Sequence, residues 1–460
     1  MPIRSSKYYL LLITLAVFLL VGGCAVGPNY KQPQYDLGKN YRYANSADSV
    51  SLADTSWTYV FTDPVLQALI RQGLSNNFDL KIAAERVNQA KASFKQARAE
   101  IWPSLGAQAN GSYNARQIPT QNGGVSEYSD VYAVGTLSWE LDIWGKLRRS
   151  KESAKAQLLS QEAYRQSVYI SLIAEIATAY FSLLEYRDEV EIAKSTVRIR
   201  EVGLELVRGK LIAGTVSGLT VAQAEAELAQ VKAQLPAYEK AAGIQESALR
   251  LLVGELPGEV TAGDSITKQI NPNLIPKAGI PSQLIVRRPD IIAVEQQLVS
   301  ANAQIGVARA MMLPTLSIDV NAGYSTLGAG LIGSAVGNLV APIFSFGKLK
   351  QNVRKAQAMN AEMLVTYQKS IYTAIKEVSD GLLSVEKQKA ISKESRNLTI
   401  AAQTAFDLAN QLFDAGYASY LDVIDVQRQL YNAQIYESQA HYDELSAVVY
   451  LYKSLGGGWK

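Results

Sequence analysis

Cysteine and histidine are almost missing from this chain. One cysteine, Cys24, and one histidine, His441, occur among 460 residues. A single thiol cannot form an intramolecular disulfide, and two such residues cannot supply a cysteine or histidine metal site. Histidine-based catalysis is nearly excluded, and His441 is expected on the surface of a helix.

Excess charge and catalytic motifs are also missing. The chain has 45 basic and 42 acidic residues, for a formal charge of +3, which argues against a nucleic-acid partner. We find no nucleophile–base set, metal-ligand spacing or phosphate-binding loop in the sequence. An enzyme is therefore the least supported class of protein, and neither a cofactor nor a metal is expected.

The single cysteine follows an apolar segment at the N-terminus. Tyr8–Val21 is too short to span a membrane comfortably but has the length of a signal-peptide core. The following residues, Gly22, Gly23 and Cys24, complete a pattern that resembles a bacterial lipobox. We therefore predict a signal peptide over 1–23 and a lipid on Cys24; the alternative is an ordinary cysteine. An extended arm is expected over 24–60.

Proline is missing from two long stretches. Leu147–Leu211 and Lys348–Asp414 contain none, which predicts helices of about 100 Å at 1.5 Å per residue. Glycine turns after each stretch lead into return helices over Leu219–Val253 and Tyr420–Leu455. In the first return helix, apolar residues step by three and four as in a coiled-coil seam, although Pro236 should kink it.

Both halves of the chain carry the same plan. Asp79 and Asp290, like Pro103 and Pro314, are separated by 211 residues, whereas Gly145 and Gly347 are separated by 202. Two tandem copies are therefore predicted, over 61–258 and 282–460, with a linker over 259–281. Nine residues are missing from the loop between the strands of the second copy, where repeats differ most readily.

Each copy also contains two segments of alternating polarity. Strands are predicted at about 104–117, 130–143, 315–326 and 336–346, with a turn over 119–124 and a glycine-rich loop over 327–337. Such segments are the weak signature of a membrane β-barrel, and a hairpin of a soluble sandwich is the alternative. The helix–strand junctions are Pro103 and Pro314 at the strand starts and Gly145 and Gly347 at the strand ends.

Four strands cannot close a barrel, because the smallest membrane barrels have about eight. Open strand edges are not tolerated in lipid, so a chain with membrane strands must oligomerise, and cyclic symmetry is the expected route. Helices of about 100 Å are too long and too polar for a bilayer core of about 30 Å. The predicted fold is therefore a mixed α and β membrane protein that acts as a conduit.

The chain resembles the TolC-like outer-membrane efflux factors, in the NodT-type lipoprotein branch. The resemblance covers essentially the whole mature chain. It implies a homotrimer with a 12-stranded barrel in the outer membrane and an α-helical barrel across the periplasm. It also implies an efflux duct that a periplasmic adaptor joins to an inner-membrane, proton-driven transporter. The matching stretches are CAVGPNY (24–30), GKLRRS (145–150), LPAYEKA and ALRLLVGELPG (235–258), IPSQLIVRRPDIIAVEQQL (280–298), ANAQIGVARAMMLPTLS (301–317) and SLGGGW (454–459).

Two aspartates follow the second glycine turn. Asp422 and Asp425 are three residues apart and share a helical face, so a threefold axis would gather six carboxylates. The resemblance implies that they line the periplasmic gate; the alternative is solvated acids at a helix start. Many relatives have an arginine just before this motif, where this chain has Ala418. The adaptor contacts implied at the two tips are Gly214, Thr215, Gly218, Leu219, Gly416, Tyr420 and Leu421.

The sequence is compatible with three functions. The first is a passive duct for small toxic compounds, the second is the duct of a type I protein secretion system, and the third is a coiled-coil lipoprotein without a pore. The alternating strands and their repetition count against the third. The basic cluster Lys146, Arg148, Arg149 and Lys151 is expected to be a solvated helix start.

Overall fold

The computed structural model describes residues 25–38, 40–44, 51–118, 124–261, 263, 266, 269, 278–327 and 330–457. The predicted signal peptide, Cys24, residues 119–123 of the turn predicted over 119–124 and much of the linker lie outside these residues. Two strand–helix copies follow one another. The elements are α1 (Pro64–Asn76), α2 (Phe78–Ala99), β1 (Ser104–Ile118), β2 (Gly124–Leu141), α3 (Lys146–Ile212), α4 (Gly218–Leu252), α5 (Pro289–Ala310), β3 (Thr315–Ser325), β4 (Gly330–Val340), α6 (Lys348–Asp414) and α7 (Tyr420–Ser454).

Several helices begin where the sequence offers a capping residue or a glycine. The Asp63 side chain accepts a hydrogen bond from the Val65 amide at the start of α1, and Asn77 accepts one from the Leu80 amide at the start of α2. Gly145 and Gly347 have φ values of 77° and 79° immediately before α3 and α6. The long helices α3 and α6 contain 67 residues each, and their return helices contain 35 each. Pro236 lies inside α4 without ending it.

The four strands form one antiparallel sheet in the order β1-β2-β3-β4. Directly opposed residues lie on the same face, so the register separates the two faces of the sheet. Leu316 pairs with Leu141 and Leu339, and these residues belong to an apolar face. Asp319 pairs with Ser138 on the other, polar face. The predicted alternation of these strands is therefore reproduced.

Two strand boundaries differ from the prediction. β2 begins at Gly124 rather than at residue 130, and β4 covers Gly330–Val340 rather than 336–346. The glycine-rich stretch that was expected to be a loop is therefore mostly a strand. The glycine-rich composition of β4 does not favour a strand. Pairing with β3 along its whole length supplies the backbone hydrogen bonds that stabilise the strand conformation. The predicted arm also contains short helical turns at Leu52–Asp54 and Trp57–Val60.

The chain divides into two compact units. The first contains residues 25–35, Glu85–Glu162 and Ala293–Lys369, and therefore the whole sheet. The second contains Asp36–Ala84, Ala163–Ile292 and Ser370–Lys460. Its core is aromatic: the ring of Phe61 contacts Phe181 and Tyr452 with centroid distances of 6.2 and 6.3 Å.

One described helix, α3, has a stretch that is apolar and long enough to cross a membrane. Within that stretch, 67% of the residues are buried inside the protein. Ile173, Ile176 and Leu183 are among the most deeply buried side chains of the chain. The apolar stretch of α3 is therefore accounted for by the protein core rather than by lipid.

Candidate functional site

The two helix tips are built alike. Gly214 and Gly416 adopt φ values of 75° and 80°, a conformation that a side chain disfavours. Each is followed by an amide that closes the turn: Thr215 donates to the Lys210 carbonyl at 2.9 Å, and Tyr417 donates to the Leu412 carbonyl at 2.8 Å. These glycines therefore have a structural role in the turn whether or not they contact a partner protein.

A serine caps the return helix at each tip. Ser217 accepts a hydrogen bond from the Thr220 amide, and Ser419 accepts one from the Asp422 amide. In the second tip the exchange is reciprocal, because the Asp422 carboxylate also accepts from the Ser419 amide at 2.8 Å and from its hydroxyl at 2.7 Å. This is a capping box, and Asp422 therefore stabilises the start of α7.

The capping box changes the expected electrostatics of Asp422. The hydrogen bonds from the side chain and the backbone of Ser419 hold the pKa of Asp422 below its usual value. Within one protomer, these donors outweigh the opposing effect of burial. Asp422 is ionised at neutral pH.

Asp425 belongs to a network of charges that the sequence did not reveal. The Arg428 guanidinium donates to the Asp425 carboxylate at 2.9 Å and lies 3.8 Å from Glu227 of α4. Glu227 in turn lies 3.0 Å from Arg200 of α3, whose side chain is buried. In this chain the arginine that contacts the second aspartate is Arg428, which follows the motif. Many relatives instead have an arginine before the motif, at the position of Ala418.

The tips enclose a small apolar core. Tyr420 is only 7% exposed and its ring lies 5.3 Å from that of Phe413. A Cβ on Gly203 would lie 2.5 Å from the Tyr420 hydroxyl oxygen, so the ring fits only against glycine. Tyr420 therefore does not present its side chain to a partner, contrary to its expected role as an adaptor contact.

Other apolar side chains at the tips are exposed. Tyr417 is 84% exposed and Ile212 is 90% exposed, and neither was among the expected contacts. Leu219 and Leu421, which were expected contacts, are exposed as well. The signal that could have separated Tyr417 from Tyr420 is position: Tyr417 lies in the turn, whereas Tyr420 begins the helical seam.

A second candidate site surrounds the segment 25–30, which directly follows Cys24. We call it the anchor collar and define it as residues 25–30 with Gly145, Arg149, Asn302 and Gly306. The Val26 amide donates to the Trp144 carbonyl at 3.0 Å, and Asn302 donates to the Pro28 carbonyl at 2.9 Å. The residue next to Cys24 is therefore held beside the junction between β2 and α3.

Glycines make the close approach in the anchor collar. A Cβ on Gly306 would lie 2.7 Å from the Val26 carbonyl oxygen, and one on Gly145 would lie 2.7 Å from the Ala25 Cα. Gly27 has φ of 112°, and a Cβ there would lie 2.5 Å from the Gly306 Cα. The segment 25–30 therefore packs closely against the helix segment 301–310, and the shapes of the two surfaces are complementary.

The prediction of a solvated basic cluster at the start of α3 is wrong for Arg149, whereas Lys146, Arg148 and Lys151 are half-exposed. Arg149 is 5% exposed and donates to the Asn29 side chain at 2.7 Å and to the Glu152 carboxylate at 2.7 Å. Lys146 pairs with Glu140, and Arg148 pairs with Asp142. These residues tie α3 to the anchor collar and to the end of β2.

Tryptophans fasten the helix–strand junctions. The Trp139 indole donates to the Ile101 carbonyl at 3.0 Å, two residues before Pro103, and the Trp144 indole donates to the Pro314 carbonyl at 2.7 Å. Trp102, Phe344 and Phe346 are exposed near the same junctions. Aromatic rings at this position are typical of the boundary between lipid and water.

Other predicted features take structural roles. His441 is partly buried, and its Nδ1 lies 3.2 Å from the Ser392 hydroxyl oxygen. No group of three or more His, Cys, Asp or Glu side chains that could hold a metal ion occurs among the described residues.

A sheet with an apolar face and long antiparallel helices defines a protomer of an outer-membrane channel. The model of the outer membrane efflux protein family matches residues 69–255 and 280–457. The chain belongs to this family, and the predicted fold class and outer-membrane location are confirmed. It is an outer-membrane efflux channel protein.

Curated relatives match along nearly the whole chain. The toluene efflux pump outer membrane protein TtgI of Pseudomonas putida is 33% identical over 463 residues, covering 97% of this chain and 98% of the relative. The probable outer membrane lipoprotein SilC of Salmonella typhimurium is 30% identical over 470 residues, covering 98% of each.

Solved channels have the same fold. The outer-membrane channel OprN superimposes with a TM-score of 0.87 at 26% identity, covering 95% of this chain and 100% of that one. The open state of the Neisseria gonorrhoeae MtrE channel gives 0.86 at 28% identity, covering 95% and 98%.

Proposed function

We propose that three copies of this chain form the exit duct of a tripartite efflux pump. The sheet carries this proposal. It has an exposed apolar face and a polar face, and the outer edges of β1 and β4 have no strand partner within the described sheet. Lipid does not tolerate such edges, so copies must pair β4 with β1 of the next copy until the ring closes.

The helix tips are the proposed docking surface for a periplasmic adaptor, which would join the duct to a proton-driven transporter in the inner membrane. The turns present Gly214, Thr215, Gly218 and Gly416 among exposed apolar side chains. Small turn residues let a partner backbone approach closely, and apolar side chains supply area for burial. The apolar contacts are Ile212, Leu219, Tyr417 and Leu421, and Tyr420 supports them from the core.

Asp422 and Asp425 are the proposed periplasmic gate. In a trimer, six carboxylates would surround the axis and attract cations. Asp422 would act as an ionised group whose position is fixed by Ser419. Arg428 would pair with Asp425 and with Glu227, and Glu227 pairs in turn with Arg200. The network couples the start of α7 to α4 and α3 within one protomer.

The proposed cargo is small toxic compounds, which leave passively through the duct. The name of one relative, TtgI, specifies toluene efflux, and the polar face of the sheet offers an aqueous path. Protein secretion is the competing function, and nothing in the described geometry favours it.

Lipidation of Cys24 is proposed on two grounds. The relative SilC is named as a probable outer membrane lipoprotein. The anchor collar also fixes Ala25 and Val26 beside the helix–strand junction, where an acyl chain would enter lipid directly.

Native mass spectrometry and planar-bilayer recording test the duct itself. We expect a trimer and a conducting channel; a monomer that never conducts would contradict the proposal. A strain lacking the gene should become more sensitive to toluene and similar compounds, and the intact gene should restore resistance. Unchanged sensitivity together with loss of a secreted protein would favour the secretion duct instead.

Adaptor docking is tested by pull-down from the native host with the Ile212→Ser/Tyr417→Ser double variant. We expect adaptor recovery to fall while the trimer persists. Tyr436→Ser, an exposed tyrosine farther along α7, is the matched control and should leave recovery unchanged. Equal recovery for both variants would remove the tips from the docking surface.

A further inference from the structure

One carboxylate lies in the middle of the polar face of the sheet. Asp319 is the fifth residue of β3, opposite Ser138 of β2 and Val336 of β4. At about 3.3 Å per residue, it lies about 13 Å along the strand from Thr315. The register places it on the face opposite to Leu316, Ile318 and Val320.

Neutral donors hold Asp319 from three strands. The Ser138 hydroxyl donates to Oδ1 at 2.6 Å, and the Asn338 amide donates to Oδ2 at 2.6 Å. The Ser317 hydroxyl donates to Oδ2 at 3.4 Å. These contacts fix the orientation of the carboxylate without cancelling its charge.

The other acids of this face are used differently. Glu140 forms an ion pair with Lys146 at 2.7 Å. Asp130 accepts hydrogen bonds from Ser325, Thr326 and the Leu327 amide, and so holds the start of the turn between β3 and β4. Asp319 has no ion pair among the described residues. The one basic residue in the four strands is Arg116, which pairs with Ser126 twelve residues along β1 from Ser104, the partner of Ser138. At about 3.3 Å per residue this register position is about 40 Å along the strand from the level of Asp319.

We propose that Asp319 is a charge-selectivity determinant inside the membrane part of the duct. This inference rests on the proposed trimer. Three copies would place three oriented carboxylates around one aqueous lumen, and rings of Asp or Glu favour cations over anions. The ligands are cationic small molecules and metal cations in transit, and anionic compounds are disfavoured.

The size of the effect follows from Coulomb attraction. A carboxylate about 8 Å from a monovalent cation in water contributes about 0.5 kcal/mol, or about a twofold preference. Screening weakens this preference as the Debye length falls below the lumen radius, so low salt is required. Three carboxylates at the same height in the lumen should give a stronger preference for cations than one carboxylate.

The experiment is the reversal potential of single channels in a KCl gradient at low ionic strength. Asp422→Asn/Asp425→Asn serves as the background, since it removes the acids proposed at the tips. In that background, Asp319→Asn should lower the potassium-to-chloride permeability ratio at least about twofold. Asp319→Lys should shift the preference towards chloride.

The matched control is Glu127→Gln. Glu127 lies on β2 with its side chain exposed, and its register position opposite Ala115 belongs to the other face of the sheet. Glu127→Gln removes one negative charge, as Asp319→Asn does, and should leave the potassium-to-chloride permeability ratio unchanged.

The outcomes separate this inference from the proposed function. If the background channel conducts but Asp319→Asn and Asp319→Lys both leave the ratio unchanged, the inference is overturned and the duct stands. If neither variant inserts, Asp319→Ser in the same recording takes their place, with the same expected fall. If the wild-type protein never conducts, the proposed duct fails, and the inference fails with it.

Discussion

At the residue scale, buried carboxyl groups are the least expected feature of the helices. Glu185 is 7% exposed and Glu189 is 2% exposed, both on α3. Burial, with smaller contributions from Glu189 and Asp443, raises the pKa of Glu185 to about 8. Burial also raises the pKa of Glu189 and of Asp188. The charged and titratable groups that α7 contributes around these acids are Glu437, His441, Tyr442 and Asp443.

These carboxyl groups predict that stability falls as the pH rises. The folded state holds the Glu185 proton more tightly than the unfolded state, so its stabilising contribution is complete below about pH 4.5 and is lost as the pH passes through about 8. Glu185→Gln should flatten this dependence by about 3 kcal/mol between pH 5.5 and 8.5, because each pKa unit corresponds to about 1.4 kcal/mol. Thermal unfolding at pH 5.5 and 8.5 measures it. Glu191→Gln, an exposed position on α3, is the control, and equal slopes for both variants would contradict the prediction.

A second prediction at this scale concerns Gly306. Gly306→Ala places a methyl group 2.7 Å from the Val26 carbonyl oxygen, so the segment 25–28 should leave the anchor collar. Hydrogen exchange at the Val26 amide, which otherwise donates to Trp144, should accelerate at least tenfold, for a loss of about 1.4 kcal/mol. Gly243→Ala, a helix glycine with open space around it, should leave this exchange unchanged. Unaltered exchange in Gly306→Ala would mean that the arm adjusts without release.

At the element scale, the boundaries of the helices were largely predictable and those of the strands were not. Proline and glycine act on the local backbone, so Pro64 and the glycines before α3 and α6 fix helix starts from sequence. β4 contains Gly330, Gly333 and Gly337, which locally favour a loop. Its eleven-residue pairing with β3 overrides that preference, and pairing partners are a property of the fold.

The start of α7 supports a prediction that separates capping from gating. Asp422→Asn/Asp425→Asn should raise channel conductance and weaken block by a trivalent cation, because the proposed gate loses its charge. Single-channel recording measures both. Ser419→Ala is the matched control: it removes the cap, at about 1 kcal/mol, but keeps both carboxylates.

The control decides the interpretation of the tip experiment. If Ser419→Ala reproduces the double variant, the aspartates act through helix stability rather than through charge. If neither variant changes the block, the proposed gate lies elsewhere. Arg428→Gln, like Ser419→Ala, keeps both carboxylates. It differs in removing the guanidinium that pairs with Asp425.

At the scale of the whole molecule, one chain is an incomplete unit. Its sheet has an apolar face and two outer edges, and no strand in the described part of the chain closes them. The repeated plan supplies two hairpins per chain, and β2 pairs with β3 to join them. A closed ring therefore requires further copies, whose number is implied by the family rather than by one protomer.

Anchoring is also a property of the whole molecule. Cys24→Ser should abolish the lipid, because an oxygen cannot replace the modified thiol. Mass spectrometry of the N-terminal peptide of the purified protein should show acyl chains on Cys24 in the wild type and none in the variant. An unmodified Cys24 in the wild-type protein would contradict the proposed anchor, while leaving the duct untouched.

The sequence by itself determined the class of protein. Periodicity, the positions of Pro103 and Pro314 and the duplicated motifs depend on local chemistry, and they specified long helices, alternating strands and a family. The tertiary structure decided which side chains of those elements are available. It buried Tyr420 and Arg149, joined Asp425 to Arg428 and placed three donors around Asp319, because burial and long-range contacts depend on which elements pack together.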